Sequence, residues 1–215
     1  YLAAAAACLA LVFSFGLLQD TAKSRPETLA LSPSGARLFA IGSFYWKQRT
    51  QDGLQKSVRY FSAVVKSDPK NVRGYAALAQ AYALEADYMY APIKKTYARA
   101  RALARTALRM DPHSAEAHAA MGISEDVPET RRAAREQFRE AVALDPLYAS
   151  AHQWYGSSLL LEGRAREGFA ELRKAAQLDP VSPAGLSWLS NAAYLARQYS
   201  EAVTYAREGI DLAPE

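Results

Sequence analysis

The chain has 215 residues, with 26 Lys and Arg against 22 Asp and Glu, for a net charge of +4. That excess is too mild to imply a nucleic-acid partner, and a single cysteine excludes an internal disulfide framework. Half of the residues are hydrophobic, Gly and Pro are few, and Ala, Leu, Arg and Glu dominate with no strand-length alternation. The expected fold is therefore all-α.

Residues 1–18, YLAAAAACLALVFSFGLL, carry no charge. As a helix they would span roughly 27 Å, close to the ~30 Å hydrocarbon core of a bilayer. Their apolar side chains would cover every face, as in a helix surrounded by lipid or by a core. One transmembrane helix is expected here, which makes the membrane a partner through residues 1–18. Two alternatives compete. A cleaved signal peptide would need a basic segment ahead of the run, and a lipoprotein cysteine would follow the run rather than sit inside it as Cys8 does. Residues 19–35 include Pro26, Ser32, Pro33, Ser34 and Gly35 and read as a linker. Because the chain opens on Tyr1 and closes directly after a repeat terminus, a fragment or processed product is expected.

From residue 36 to 215 the dipeptide Asp-Pro recurs. Asp68-Pro69, Asp111-Pro112, Asp145-Pro146 and Asp179-Pro180 are followed by Ala213-Pro214, at intervals of 43, 34, 34 and 34 residues. Proline lacks an N–H and disfavours helix in the residue before it, so each dipeptide marks a helix end. A period of 34 is that of the tetratricopeptide repeat (TPR), one antiparallel helix pair per unit. Aligned on the prolines, small residues fall where helices must approach: Ala79, Ala100, Gly122, Ala134, Gly156, Gly168, Ser190 and Ala202. Large ones (Tyr75, Leu78, Phe138, Tyr155, Leu172, Leu186) fall where gaps must be filled. An earlier, degenerate unit ends at Pro69 and keeps Phe44, Phe61 and the run GSFYWKQRT. The longer first interval is expected to come from nine extra residues between the helices of the second unit, around ADYMYAPIK. Ser182-Pro183 reads as an N-cap followed by proline in the first helical turn, and Gly163 as a left-handed cap. The expected architecture is a right-handed superhelix of about five TPR hairpins over 36–215, preceded by one transmembrane helix.

The run FYWKQRTQDGLQKSVRYFSAVVKSDPKNVRGYAALAQAYAL, with AHQWYGSSLLLEGR and ARQYSEA further on, resembles the periplasmic TPR domain of bacterial membrane-anchored winged-helix transcriptional activators. The same arrangement is found behind class III adenylate cyclases and membrane Ser/Thr kinases. The resemblance runs from about Leu38 to Glu215 and implies a single-pass inner-membrane protein with a periplasmic TPR domain and a cytoplasmic output domain upstream. This sequence departs from that pattern where ISEDVPE breaks the first helix of the third unit early.

Nothing in the residues points to catalysis, a cofactor or a metal. His118 and His152 occupy the same repeat position, a packing slot, and His113 follows Pro112 in a turn; no cysteine or carboxylate stands at ligand spacing. There is no Gly-x-Ser-x-Gly elbow and no glycine-rich phosphate loop. Arg101, Arg105 and Arg109, within KKTYARARALARTALR, form one stripe, read either as a surface for anionic lipid or an acidic partner or as a solvated outer face. The candidate binding residues are those placed on the concave wall of first helices: Arg73, Gln80, Gln153, Trp154, Trp188, Asn191 and Tyr194. Aromatic rings and amides on such a wall suit a protein or peptide partner, although the tryptophans equally suit the core. Asn191 alone matches the clamp that holds a chaperone's terminal carboxylate, so chaperone tails are disfavoured.

Three functions follow as expectations. The first is a non-catalytic sensory or protein-binding domain of a single-pass bacterial membrane signalling protein, acting through a ligand-driven shift of the superhelix or of its self-association. The second is a free-standing, membrane-anchored TPR adaptor, and the third an accessory region of an enzyme.

Overall fold

The computed structural model describes residues 30–127 and 129–213. The transmembrane segment expected over 1–18 lies outside the described residues, among which no helix is long and apolar enough to cross a membrane. Leu31–Glu215 form one compact unit.

Among the described residues ten helices make up this unit: α1 (Pro33–Lys47), α2 (Gln51–Ser67), α3 (Val72–Asp87), α4 (Ile93–Met110), α5 (Ala115–Glu125), α6 (Arg131–Leu144), α7 (Ala149–Leu161), α8 (Ala165–Leu178), α9 (Pro183–Leu195) and α10 (Tyr199–Leu212). The described residues contain no strand. Consecutive helices pair as five hairpins, and the second helix of each hairpin packs on the first helix of the next. Each Asp of the recurring dipeptide is the residue at which a second helix ends: Asp68, Asp111, Asp145 and Asp179, with Ala213 in the last unit.

Two boundaries differ from the sequence reading. The first helix begins at Pro33, inside the segment assigned to the linker, because Ser32 caps it by accepting from the Gly35 N–H at 3.1 Å. Ser32 also donates from its Oγ to Asp68 Oδ2 at 2.8 Å, which ties the start of the hairpin to its end. The insertion in the second unit is only partly a loop: α3 has 16 residues against 13 in α7, and α4 has 18 against 14 in α8. Most of the extra length is helix, as expected for an Ala- and Arg-rich segment.

The small repeat positions bring backbones together. A Cβ on Gly156 would sit 2.9 Å from the carbonyl oxygen of Gly168, and a Cβ on Gly168 would sit 2.8 Å from that of Gly156. In the last hairpin the same two positions are Ser190 and Ala202, and the Ser190 hydroxyl donates to the Ala202 carbonyl at 2.8 Å. Gly163, after α7, has φ +78°, and Arg197, one repeat later, has φ +64°. These are the left-handed residues that close a first helix and turn the chain into the second.

The equivalent histidines are more than packing. In His118, Nε2 lies 3.0 Å from the Pro112 carbonyl and Nδ1 2.9 Å from Gln137 Oε1. His152 repeats this with Pro146 at 3.0 Å and Glu171 at 2.6 Å. Each ring thus ties the Asp-Pro turn behind it to the second helix of its own unit.

A candidate peptide-binding wall

First helices α3, α5, α7 and α9 lie side by side. The array curves strongly enough for the turn after α1 to reach its far units. A cavity of about 250 Å³ is lined at once by Lys47 at the end of α1 and Arg49 of that turn, by Ala149, Ser150 and Gln153 of α7, and by Ser182 and Gly185 at the start of α9. The face of the first helices is therefore concave.

The seven residues expected on this wall fall into three groups. Arg73 and Gln80 line a second cavity of about 200 Å³, with Phe39, Trp46, Glu116 and Tyr148. Arg73 lies over the Phe39 ring at 4.7 Å, with its Nε 3.7 Å from Glu116. Gln80 is buried, and its Nε2 donates to the Glu116 carbonyl at 2.9 Å and to the Tyr148 hydroxyl at 2.8 Å. Its amide nitrogen is thus engaged inside the protein rather than offered to a partner. Gln153, Trp154 and Trp188 line a third cavity of about 120 Å³. Asn191 and Tyr194 are exposed further along α9, where Tyr194 leans on Tyr199 at 5.7 Å between ring centroids.

Trp154 corrects the expectation that it is a partner anchor. It is only 7 % exposed and belongs to the central core. Trp46 and Tyr148 meet it edge-on, and Phe138 stacks against it. A large ring with apolar neighbours on several sides gains more from burial than from waiting for a ligand. Trp188 is partly buried against the separate Leu172 and Leu189 cluster and keeps some solvent exposure.

The basic stripe is also less free than its sequence suggests. Arg101 donates to the Ser124 carbonyl at 2.6 Å, which anchors the end of the short helix α5. Arg105 and Arg109 remain exposed.

The sequence reading missed Trp46, Lys47, Arg49 and Tyr148. Arg49 adopts φ +56° and stacks its guanidinium 3.8 Å from the Trp46 ring centre. It keeps some solvent exposure, yet its surroundings are dense enough that desolvation pushes its pKa below the usual arginine value. Among the described residues no carboxylate stands within ion-pair distance of it. Burial raises the pKa of Asp87 despite the opposing charge of Arg49, and it raises that of the Tyr148 phenol as well. Tyr148 stands one repeat from Ser114 and one from Ser182, both of which cap first helices through their hydroxyls. In place of that serine, it leaves α7 without a side-chain cap. The break in the Ser–Tyr–Ser register was visible in the sequence and is the signal that could have marked this site.

These observations define the class: a TPR fold whose concave wall carries aromatic, amide and cationic groups. No family model matches the chain, and no curated protein matches it. Among solved structures it is similar to TTC0263, a thermophilic TPR protein in Thermus thermophilus, with a TM-score of 0.64 and 16 % identity over 84 % of this chain and 92 % of that one. It is similar to MamA with a TM-score of 0.51 and 23 % identity over 80 % and 94 %. A third is YrrB, a TPR protein with an unusual peptide-binding site, with a TM-score of 0.50 and 16 % identity over 83 % and 86 %.

Proposed function

We propose that residues 31–215 are a non-catalytic protein- or peptide-binding domain that captures its partner on the concave wall. The observation that carries this reading is the set of polar groups left there without partners among the described residues. The Trp46 indole N–H is buried and unbonded, the Gln153 amide makes no hydrogen bond, and Arg49 has no ion pair. Natural proteins pair nearly all buried polar groups such as the Trp46 N–H, while the Gln153 amide and the Arg49 guanidinium line the cavity where a partner can reach them. YrrB, with the same fold, has a peptide-binding site.

The domain belongs, in this reading, to a single-pass bacterial membrane protein of signalling or transcription regulation. It is anchored by residues 1–18 and held on the periplasmic side of the inner membrane. The uncharged segment and the resemblance to membrane-anchored winged-helix activators support this. Two experiments test the reading. Alkaline phosphatase fused after Glu215 is active if the domain is periplasmic; inactivity with a matching active cytoplasmic reporter overturns the topology. Peptides selected from a displayed library should bind the wild-type chain and lose at least tenfold in affinity on Trp188→Ala with helicity unchanged. Failure to select any peptide overturns the binding function.

A further inference from the structure

The 250 Å³ cavity is small against the ~300–1,000 Å³ usual for a whole small-molecule ligand. Its size suits a side chain or a chain end, and its lining is electropositive. Arg49 and Lys47 overhang it, against a single acid, Asp179. Into it opens the start of α7, a helix of 13 residues whose cap residue Tyr148 makes no side-chain bond to it. The Ala149 and Ser150 N–H groups have no acceptor among the described residues, whereas Ala151 and His152 both donate to the Tyr148 carbonyl. Unsatisfied N–H groups and the helix dipole make such an end attractive to an anion.

A helix end alone would carry little, but Gln153 adds an independent observation. One turn into α7 it lines the same cavity at 9 % exposure, with no hydrogen-bond partner for its amide among the described residues. Its amide lines the cavity without an internal partner and is not sealed away from it, so a ligand can reach it. Arg49 adds a desolvated guanidinium held in place by the Trp46 ring, a fork suited to carboxylate.

We propose that this cavity is a subsite for a carboxylate of the bound peptide. Arg49 and the Ala149 and Ser150 N–H groups take the two oxygens, and the Gln153 amide takes the adjacent peptide group. The inference rests on the peptide-binding reading and deepens it. The carboxylate can come from a chain terminus or from an Asp or Glu side chain, and the probes below separate these.

The test uses the whole 15N-labelled chain in nonionic detergent, followed by amide NMR. The probes are N-acetyl-Ala-Leu with a free carboxylate, the same dipeptide as its amide, and N-acetyl-Ala-Glu amide. The free acid should shift the Ser150 N–H and the Gln153 side-chain NH2, and the amide should bind at least tenfold more weakly. A Glu amide that binds like the free acid assigns the carboxylate to a side chain; one that binds like the Leu amide assigns it to a terminus. Arg49→Gln should weaken the free acid about tenfold. Ala149→Pro removes one free N–H at a position where the next unit already carries Pro183, so it should fold normally and still weaken binding severalfold. Equal binding of acid and amide overturns the subsite, as does an equal response to inorganic phosphate. Shifts confined to Trp188 and Asn191 overturn it while leaving peptide capture on the wall intact. No shift from any probe overturns the subsite, and the display selection then judges the wider reading separately.

Discussion

Trp46 and Trp154, from the first and fourth repeat units, meet edge to face with ring centroids 6.3 Å apart. The contact links the last turn of α1 to the middle of α7 and joins units that are not neighbours in the array. Repeat arrays normally derive stability from adjacent units alone, so this pair supplies a longer-range coupling.

Trp154→Ala should therefore lower stability by about 3–5 kcal/mol, as for other buried large-to-small changes. Trp188→Ala should cost clearly less, because its ring is only partly buried. A double-mutant cycle between Trp46 and Trp154 should return a coupling of about 0.5–1.5 kcal/mol. Chemical denaturation of the four proteins measures all three values. Additive losses at Trp46 and Trp154 would show that the ring contact contributes nothing.

Exchanging glycine for alanine inside a helix normally gains about 0.5–1 kcal/mol. Gly156→Ala should reverse that sign and cost about 1–3 kcal/mol, because the new methyl meets the buried Leu172 side chain and also the Gly168 carbonyl and Leu172 N–H of the backbone, which cannot move aside. Gly122→Ala meets the Phe138 ring, which is sealed in the core and stacked on Trp154, so its cost should be at least as large. Thermal melts of the two variants rank them; a stabilised Gly156→Ala would contradict the close approach of α7 and α8.

Both ring nitrogens of His152 face acceptors, the Glu171 carboxylate and the Pro146 carbonyl. Two donations require the imidazolium, and the bond to Glu171 is the main cause of a raised pKa, partly opposed by burial. A raised folded-state pKa means that the stabilisation is complete below the unfolded value of about 6.5 and is lost as pH rises through the folded value. NMR titration of His152 should give a midpoint above about 6.5. Glu171→Gln should lower that midpoint and flatten the fall in melting temperature on the alkaline side. An unchanged midpoint in Glu171→Gln would remove the ion pair as its cause.

The Asp-Pro beat made the helix ends legible, because proline acts through its own backbone and needs no tertiary context. Small-residue positions such as Gly156 and Gly168 were legible for a related reason: the hairpin geometry recurs in every unit. Trp154 was not, since its side of α7 serves as groove or as core depending on how far the array curves. That curvature accumulates over several units, and no single repeat encodes it. The segment Trp46–Arg49 was missed for the same reason: in sequence it looks like the edge of a degenerate unit, yet it folds against units far along the chain. The Ser32 cap was obscured by its composition, because Ser-Pro-Ser-Gly reads as loop until the Asp68 carboxylate closes it onto the first hairpin.

Tyr148 sets two local preferences against each other, and its replacement tests which dominates. Tyr148→Ser would restore the side-chain cap seen at Ser114 and Ser182, worth about 1 kcal/mol. It would also delete a ring packed edge-on against Trp154 and a hydroxyl bonded to Gln80, leaving that buried amide with one fewer partner. Loss of a packed aromatic typically costs about 3–5 kcal/mol, so the net effect should be destabilising by about 2–4 kcal/mol. The new serine oxygen would accept from the Ala151 N–H, as Ser114 does from Ala117 and Ser182 from Gly185, and leave the Ala149 and Ser150 N–H groups free, so carboxylate binding should persist in the folded variant. Denaturation and the peptide titration on the same variant read the two effects together. A variant more stable than wild type would mean that capping dominates and that Tyr148 contributes little to the wall.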